Sequence, residues 1–356
     1  MEGTSPATVR EAIETREPLP GTRGFAGEVD GALVRDVLGR FPLYTERGDP
    51  STWASDPTTL ADPDPVPAGH RRTPEGDERR WTLPDPEPLD PEAAVANLRK
   101  ALAASLDDIG TEGLAVAFSG GVDSALVAAA LERPAYVVGF PDSHDVEAAR
   151  SGAEALGVDL TVVEATHEDL RWAVPEIVAA TGRTNAMDVQ IALPLYLVAE
   201  AAAADGYDRL AVGQGADELF GGYAKVAKAP DDPRTDADTV RGATREVIGS
   251  LAEQLPRDVL TLRAAGVEPV APLLDDRVVA AALRVPESLL VDGDRRKVAL
   301  REAATDWLPE SIAERDKKAV QYGSLIAREL DRLARQNGYK RRMDDHVSKY
   351  VESLIE

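Results

Sequence analysis

The most informative stretch of the chain runs from Leu114 to Leu131 and reads LAVAFSGGVDSALVAAAL. Its first five residues form a short apolar run that predicts a buried strand, and SALVAAAL, beginning at Ser124, predicts a helix. The glycine-rich turn between them allows close backbone approach, and the helix start offers unpaired N–H groups, so an anion such as pyrophosphate would fit here. The alternative is a plain strand-to-helix turn in which Asp123 is only a helix-start residue.

The same pattern of a strand followed by a helix repeats along the chain. Further strands are predicted at 135–140, 159–165 and 209–213, and helices at 91–106, 144–156, 168–180 and 188–204. This alternation predicts an α/β fold with a doubly wound parallel sheet, in which ligands bind beyond the carboxyl ends of the strands. No strand is predicted beyond Pro230, where three segments with helical patterns (278–285, 295–305 and 324–335) predict a helical C-terminal region.

A second acidic, glycine-rich loop, GQGADELFGGY, follows the predicted strand that ends at Gly213. At the same edge of the sheet, it would place Asp217 opposite Asp123. One magnesium ion between them would take oxygens from both carboxylates and from phosphate. The first turn lacks the lysine of the common nucleotide-cleaving P-loop, and Asp123 would repel phosphate unless a divalent cation intervened. The alternative for Asp217 is a helix cap.

Taken together, SGGVDS and GQGADELFGGY resemble the synthetase domain of the asparagine synthetase family, which includes the β-lactam synthetases, among the ATP pyrophosphatases. RRKVALREA (295–303) and RDKKAVQYGS (315–324) look like further blocks of that family. The resemblance implies a sheet similar to that of the adenine nucleotide alpha-hydrolases. It also implies an enzyme that adenylates a carboxylate with ATP, releases pyrophosphate and passes the acyl group to an amine.

The resemblance further implies residue roles around ATP and magnesium. The magnesium ligands would be Asp123 and Asp217. The pyrophosphate would be bound by the turn residues Ser119, Gly120, Gly121, Val122, Asp123 and Ser124. The positions that match the nucleotide-binding backbone are Val138, Gly139, Val212, Gly213 and Gly215.

Two lysines match basic positions of the family. Lys297 matches the lysine that stabilises charge while the carboxylate attacks the α-phosphate, which suits a transition state with negative charge on phosphoryl oxygens. Its alternative is a solvated helix lysine beside Arg295 and Arg296. Lys317 matches another basic position and is expected to help bind ATP or the substrate carboxylate.

Gln214 is a candidate catalytic residue and departs from the family pattern. Asparagine synthetases carry Glu at the matching position and β-lactam synthetases carry Tyr, each implicated in handling the attacking amine. A glutamine amide can donate and accept hydrogen bonds but cannot take up a proton near neutral pH. Another group or solvent must therefore deprotonate the amine. The resemblance thus implies acyl adenylation but leaves the carboxylate substrate open.

The N-terminal region differs in composition, with ten prolines from position 50 to position 91. Such density disfavours helices and central strands and predicts turns, edge strands and a linker. We place a domain boundary near Pro88, which gives domains 1–88 and 89–356. Parts of 34–81 look like the closing portion of the family's glutamine amidotransferase domain, so a small, truncated, β-rich remnant is expected.

The family's amidotransferase nucleophile is a cysteine, and this chain has none; Glu2 follows Met1. We therefore expect ammonia to be the amine, or an amine borne by another substrate or delivered by a partner. Without cysteine, the chain also lacks disulfides and thiolate metal ligands. The four histidines are widely spaced, which disfavours a structural zinc site.

The formal charge is -23, from 63 acidic and 40 basic residues. A surface this acidic repels phosphate backbones and disfavours nucleic acid as a partner. No apolar run reaches the roughly 18 residues of a membrane span and no export signal is recognised, so we expect a cytoplasmic protein without a membrane partner. Excess carboxylate with scarce lysine suggests a halophilic, haloarchaeal origin, because molar salt screens such charge.

Three functions stay open at this point. The first is amide synthesis from aspartate and ammonia with ATP and Mg²⁺. The second applies the same adenylation to another carboxylate or base, including ring closure or RNA modification. The third is a nucleotide-binding regulatory subunit without turnover, against which the retention of Asp123, Asp217 and Lys297 weighs. A homodimer or an ammonia-supplying partner is compatible with each.

Overall fold

A computed structural model describes residues 1–141, 143–229, 237–315 and 325–355. The helices in these ranges are α1 (Pro6–Thr15), α2 (Pro91–Asp107), α3 (Val122–Leu131), α4 (His144–Leu156), α5 (His167–Thr181), α6 (Ala186–Ala204), α7 (Ala216–Leu219), α8 (Ala224–Ala227), α9 (Val240–Gly249), α10 (Leu251–Ala264), α11 (Asp276–Ala282), α12 (Glu287–Leu290), α13 (Val298–Ala303), α14 (Glu310–Ala313), α15 (Leu325–Gln336) and α16 (His346–Glu352). The strands are β1 (Ala26–Val29), β2 (Ala32–Arg35), β3 (Tyr44–Glu46), β4 (Asp49–Ala54), β5 (Pro63–Pro65), β6 (His70–Thr73), β7 (Gly76–Arg79), β8 (Leu114–Ala117), β9 (Ala135–Gly139), β10 (Leu160–Glu164), β11 (Arg209–Ala211), β12 (Glu268–Val270), β13 (Val291–Asp292) and β14 (Arg295–Arg296).

The main sheet has five strands in the order β10-β9-β8-β11-β12, and every neighbouring pair is parallel. The strand that comes first in the chain, β8, lies at the centre, and later strands are added on both sides of it. This order is that of a doubly wound sheet, so the predicted fold class is confirmed. The interior strand β9 is buried along its whole length, as expected where helices cover both faces of a parallel sheet.

Local sequence signals set the ends of the helices around this sheet. Ser143 accepts a hydrogen bond from the N–H of Val146 and begins α4, while Thr166 and Asp169 form a capping box at the start of α5. Gly157 ends α4 in the left-handed conformation that glycine adopts without strain. The helices predicted between residues 91 and 204 are present, with bounds that differ from the prediction by at most two residues.

Of the described helices, α6 is the one that length and composition would allow to cross a membrane, with a mean hydropathy of 1.3. In the structure α6 packs against β9 and α5, and residues such as Leu193 and Ala199 are fully buried. The core helix of a globular domain meets the same criterion of length and apolarity, so this single helix is only a weak indication of a membrane span.

Contacts within the chain define two units. The first consists of Met1–Gly110, Gly213–Pro256 and Ala271–Trp307, and the second of Thr111–Val212, Arg257–Val270 and Leu308–Glu356. The five-stranded sheet lies entirely within the second unit. The boundary predicted near Pro88 falls inside the first unit, and the assignment of residues 1–88 to an amidotransferase-like remnant stays a prediction.

The N-terminal part of the first unit is rich in strands, as predicted. It forms two small antiparallel sheets, in the orders β1-β2-β6-β7 and β4-β3-β5. Helix α1, which the sequence patterns did not predict, is capped by Ser5 and packs its buried residues Val9 and Ala12 with Phe25 and Trp81. The rings of Phe25 and Trp81 meet edge to face at 5.4 Å.

A buried charge network ties this N-terminal part to the start of α11. The Arg40 guanidinium lies 2.9 Å from Asp36 Oδ1 and 2.6 Å from Asp276 Oδ1, and all three side chains are almost fully buried. The backbone N–H of Thr22 donates to Asp276 Oδ2 at 2.7 Å. Residues 1–88 thus share buried ionic contacts with a segment far along the chain.

The predicted linker is an extended segment with defined partners within the first unit. The Arg245 guanidinium donates to the carbonyl of Pro84 at 2.6 Å. The N–H of Leu89 donates to the carbonyl of Arg284 at 2.9 Å. These contacts fix the segment against residues of the same unit.

The C-terminal helices α15 and α16 belong to the second unit and pack against α6. Asp331 on α15 accepts hydrogen bonds from Arg335 at 3.0 Å, Arg341 at 2.9 Å and His346 at 2.7 Å. Burial opposes ionisation of Asp331, but the bonds from Arg341 and His346 and the charge of Arg335 prevail and lower its pKa to about 2.

Two predictions about the region beyond Pro230 were wrong. β12 is a fifth strand of the main sheet, and β13 pairs with β14 as an antiparallel ribbon. β12 has only three residues, one of them Pro269, so it carries no periodicity and suits a sheet edge. The predicted helix at 295–305 also begins late, because Arg295 and Arg296 form β14 and helix α13 starts at Val298.

Candidate active site

The turn after β8 in the second unit is held closed by its own side chains. The backbone N–H of Ser119 donates to Ser124 Oγ at 3.0 Å, and Ser124 Oγ donates to the carbonyl of Gly121 at 3.2 Å. Gly120 has a φ of 72°, in the left-handed region that favours glycine. The two serines therefore shape the turn around Gly120 and Gly121.

Helix α3 begins at the end of this turn without a side-chain cap. Its N-cap residue is Gly121, which has no side chain to bond the first N–H groups, and the buried Val122 and Asp123 follow in the first turn. An N-terminus without a side-chain cap presents backbone N–H groups together with the positive end of the helix dipole, so this position suits phosphate oxygens.

The residues Val138, Gly139 and Val212, which are predicted to contact the nucleotide, lie at the ends of two strands. Val138 and Gly139 end β9 and are buried, and the Gly139 carbonyl accepts a hydrogen bond from the Ala165 N–H at 3.0 Å. A Cβ on Gly139 would lie 2.7 Å from a methyl carbon of Val146, so this position has no room for a larger residue. Val212 continues β11 by donating to the Val270 carbonyl at 2.9 Å.

The second glycine-rich loop begins the part of the first unit that follows β11. Gly213 and Gln214 are half-buried, and Gly215 has a φ of 90° at the start of α7. A Cβ on Gly215 would overlap the side chain of Leu274, so glycine is required there both by conformation and by space. This tight start places Asp217 in the first turn of α7.

Asp217 and Lys297 form an ion pair, with 2.5 Å between Lys297 Nζ and Asp217 Oδ1. The lysine side chain is 3% exposed and the aspartate side chain is 21% exposed. The lysine is therefore buried, which excludes the alternative of a solvated helix lysine. Lys297 has φ 58° and ψ 38°, a left-handed conformation that costs a non-glycine residue about 1–2 kcal/mol. Its N–H donates to the Leu290 carbonyl at 2.8 Å, which holds the strained residue in place.

Gly222 packs against both members of this pair. Its N–H donates to the Asp217 carbonyl at 2.8 Å, and its carbonyl accepts a hydrogen bond from Arg296 at 2.6 Å. A Cβ here would overlap Asp217 Oδ1 and lie 2.5 Å from Lys297 Cε. The glycine pair of GADELFGGY thus serves close packing around Asp217 and Lys297.

Sequence reasoning missed Glu218, the neighbour of Asp217. Its buried carboxylate accepts a hydrogen bond from the Tyr223 hydroxyl. Burial raises the pKa of Glu218, and the charge of Asp217 adds to this, while the bond from Tyr223 acts in the opposite direction. The signal was present in the sequence as the second acid of DELFGGY and the tyrosine that ends it.

The two predicted magnesium ligands suit an ion shared with a nucleotide. Within the described ranges, no three acids or histidines cluster in a way that could hold a metal by themselves. Mg²⁺ usually takes one or two carboxylates and completes its shell with phosphate oxygens and water, so each of the two carboxylates, Asp123 and Asp217, by itself suits such an ion. A carboxylate has about four lone-pair sites, so Asp217 can contact Lys297 and still have oxygen lone pairs for a metal ion.

The structure brings together only some of the predicted residues. Asp217 and Lys297 meet in the first unit, and Ser119 to Ser124 form one turn in the second. Because Asp123 and Asp217 belong to different units, one magnesium ion between them stays a prediction. Lys317 lies outside the described residues.

The protein has a doubly wound parallel sheet, and its central strand is followed by a glycine turn without a side-chain cap. These features place it among the α/β proteins that bind ligands at the carboxyl ends of their strands. The chain belongs to the asparagine synthase family, whose profile matches residues 96–263 and 237–352. The family expected from SGGVDS and GQGADELFGGY is thereby confirmed.

Individual relatives are similar over part of their length. The putative asparagine synthetase [glutamine-hydrolyzing] 1 of Methanocaldococcus jannaschii is 29% identical over 283 residues, which cover 69% of this chain and 52% of the relative. Asparagine synthetase B [glutamine-hydrolyzing] of Escherichia coli strain K12 is 27% identical over 229 residues, covering 58% and 41%. The chain thus spans about half the length of the curated relatives it matches.

Solved structures give weaker likenesses. The NMN synthetase from Francisella tularensis has a TM-score of 0.33 at 14% identity, with 75% of this chain and 97% of that one covered. The NH3-dependent NAD synthetase from Campylobacter jejuni has a TM-score of 0.30 at 12% identity, with 75% and 93% covered. At these scores, neither likeness carries an argument about function.

Proposed function

We propose that this chain is an ATP-dependent amide ligase that adenylates the carboxylate of aspartate and transfers the acyl group to ammonia, forming asparagine, AMP and pyrophosphate. Membership of the asparagine synthase family supports the reaction class. The structural observation that carries the proposal is the buried lysine Lys297, held 2.5 Å from Asp217. A regulatory subunit that only bound nucleotide would have no use for a buried, strained cation.

In the first half-reaction, a carboxylate oxygen of aspartate forms a bond to the α-phosphorus of ATP. The bond from that phosphorus to the bridging oxygen breaks, and pyrophosphate leaves with the electron pair. Negative charge grows on the phosphoryl oxygens, and a fixed ammonium group such as that of Lys297 stabilises this charge without reorganisation. Asp217 and the packing around Gly222 hold the lysine in one position.

The turn from Ser119 to Ser124 would bind the pyrophosphate part of ATP. Uncapped N–H groups at the start of α3 supply donors for phosphate oxygens. A magnesium ion bound with ATP would neutralise phosphate charge beside Asp123. The Asp123 carboxylate would attract that ion and so help to orient the nucleotide.

In the second half-reaction, the nitrogen of ammonia attacks the acyl carbon, and AMP leaves with the oxygen that joined it to the acyl group. The chain contains no cysteine, so no thiol of its own can hydrolyse glutamine. Gln214 can orient the nucleophile by hydrogen bonding but takes up no proton. We therefore propose that the proton lost by the amine goes to solvent and that neutral ammonia is the reactive species.

The test is an assay of the purified chain in molar KCl with ATP, magnesium, ammonium and aspartate labelled with ¹⁸O in its side-chain carboxylate. Equal amounts of asparagine, AMP and pyrophosphate are expected, with one labelled oxygen in AMP because the carboxylate oxygen attacked phosphorus. The Lys297→Met variant is expected to bind ATP but form no AMP. ADP as the product, or AMP without label, would contradict adenylation.

Two substitutions of reagents separate the remaining possibilities. Glutamine in place of ammonium should give no asparagine, and equal turnover with either would contradict the use of ammonia. AMP formation that requires a carboxylate other than aspartate would change the substrate but keep the chemistry. Tight ATP binding without turnover on any carboxylate would favour the regulatory function.

A further inference from the structure

One arginine outside the predicted site contacts the glycine turn of the second unit. The Arg315 guanidinium donates from Nη1 to the carbonyl of Gly120 at 3.3 Å and to the carbonyl of Ala148 at 2.9 Å. Its Nη2 donates to Ser151 Oγ at 3.1 Å. The side chain thus joins the turn after β8 to helix α4.

Short-range contacts hold the backbone of Arg315. It directly follows α14, whose Ile312 and Ala313 are buried and which packs against α3. The N–H of Arg315 donates to the Ile312 carbonyl at 3.2 Å. Because α3 is the helix that the glycine turn opens, the guanidinium is anchored on the same element that it helps to position.

Helix α4 lies very close to the turn. A Cβ on Gly120 would overlap the Ala148 carbonyl, and a Cβ on Gly152 would lie 3.2 Å from Gly120 Cα and 3.2 Å from the ring of Phe118. Two carbonyl oxygens, those of Gly120 and Ala148, therefore face the same small region. Arg315 places its positive charge between them, where they would otherwise repel each other.

The direction of the Gly120 carbonyl fixes the direction of the next N–H. In a trans peptide, the C=O and the N–H point to opposite sides of the chain, and no cis peptide occurs among the described residues. With its carbonyl turned to Arg315, the peptide between Gly120 and Gly121 points the Gly121 N–H away from α4. Glycines on both sides would allow this peptide to rotate if the guanidinium were absent.

We propose that Arg315 is a positioning residue that locks the Gly120–Gly121 peptide so that the Gly121 N–H and the uncapped start of α3 face the pyrophosphate of ATP. The inference rests on the proposed function, because it assumes that this turn binds pyrophosphate. Arg315 acts through the turn and contacts backbone carbonyls rather than the nucleotide. Its removal should weaken phosphate binding while leaving carboxylate binding unchanged.

The experiment compares the full-length chain with Arg315→Gln and Arg315→Lys. The matched control is Arg150→Gln, which removes an exposed arginine of α4, the helix that Arg315 contacts. Calorimetry measures the Kd of magnesium pyrophosphate and of ATP, steady-state assays measure the KM for ATP and for aspartate, and thermal unfolding reports folding.

A charge-assisted hydrogen bond that is lost corresponds to about a tenfold to hundredfold weaker affinity. We expect the Kd of pyrophosphate and of ATP to rise by about that factor in Arg315→Gln, with the KM for aspartate unchanged. Arg315→Lys should recover part of the affinity because one ammonium can still reach a carbonyl, and Arg150→Gln should match the wild type. Equal pyrophosphate affinity in Arg315→Gln and the wild type, or equal losses for ATP and aspartate, would overturn the proposal.

If Arg315→Gln does not fold, Ser151→Ala tests the proposal instead, because it removes one exposed partner of the guanidinium. Its affinity for pyrophosphate should be a few-fold weaker at an unchanged unfolding temperature. Unchanged affinity would overturn the proposal. A wild-type chain that binds neither ATP nor pyrophosphate would refute the proposed function itself. Wild-type binding that Arg315→Gln retains would refute only the role of Arg315.

Discussion

Replacing Gly222 with alanine tests whether the position of the lysine controls the rate. The added Cβ would overlap Asp217 Oδ1 and lie 2.5 Å from Lys297 Cε and 2.6 Å from Asp217 Cα. The Asp217 backbone is part of α7 and cannot retreat easily, so the lysine must move. Gly222 has no left-handed φ, which means that the substitution acts through space alone.

The expected size of the effect follows from the ion-pair geometry. If the charges separate by about 1 Å from their 2.5 Å contact, their attraction at an effective dielectric of about 20 weakens by about 2 kcal/mol. If the ammonium moves by the same distance away from the transition-state charge, the lost attraction is of similar size and should lower kcat by about 30-fold. Overpacking of a buried site should also lower the free energy of unfolding by roughly 1–3 kcal/mol.

The assay is AMP formation at saturating ATP and aspartate, combined with urea unfolding. The control is Gly249→Ala, because a Cβ at that exposed position meets no atom within 4 Å. Gly249→Ala should keep the wild-type kcat and leave the free energy of unfolding unchanged or slightly higher. If Gly222→Ala has the same kcat and stability as Gly249→Ala, the reasoning that ties the rate to the lysine's position is refuted.

Three further predictions concern stability. Lys297→Gly and Lys297→Ala should both be inactive. The glycine variant should be more stable than the alanine variant by about 1–2 kcal/mol in urea unfolding, because only glycine adopts φ 58° without strain. Equal stability of the two variants would contradict strain at this residue. Arg40→Met should lower the free energy of unfolding by about 3–5 kcal/mol because it leaves buried carboxylates unpaired, whereas the exposed Arg10→Met should change it far less. Similar losses for the two variants would exclude a special role for the buried network. The pKa of Asp331 falls from 3.8 to about 2 on folding, so its ionised form stabilises the fold above about pH 4 and this contribution is lost as the pH falls towards 2. Asp331→Asn should therefore be less stable than the wild type at pH 7, with the difference shrinking in acid; a difference independent of pH would contradict this linkage.

The sheet was predictable because its signals are local. LAVAF and AYVVGF are apolar runs of strand length, each followed by a helical pattern, and that alternation permits few arrangements. The glycine turn was predictable for the same reason, since two glycines between a strand and a helix permit a tight turn with a left-handed φ that other residues rarely adopt. β12 escaped because three residues carry no periodicity and its pairing with β11 is a long-range event.

The site was less predictable, because its geometry depends on contacts between distant parts of the sequence. RRKVALREA has a helical pattern, yet Lys297 is left-handed because its N–H bonds to Leu290 and its ammonium bonds to Asp217. No window of sequence around Lys297 contains Asp217, so burial of the lysine could not be inferred from it. The bond from Tyr223 to Glu218 is local, and the motif that contains both residues could have revealed it.

The division of each unit into three chain segments has a consequence for synthesis on the ribosome. Arg40 finds its partner Asp276 only 236 residues later, and the second unit includes Leu308–Glu356 as well as its central strands. Neither unit can close until its third segment has emerged from the ribosome, so folding should be dominated by slow, long-range contacts. The nascent chain would meanwhile expose its N-terminal strands, and stalled or shortened chains should depend strongly on chaperones.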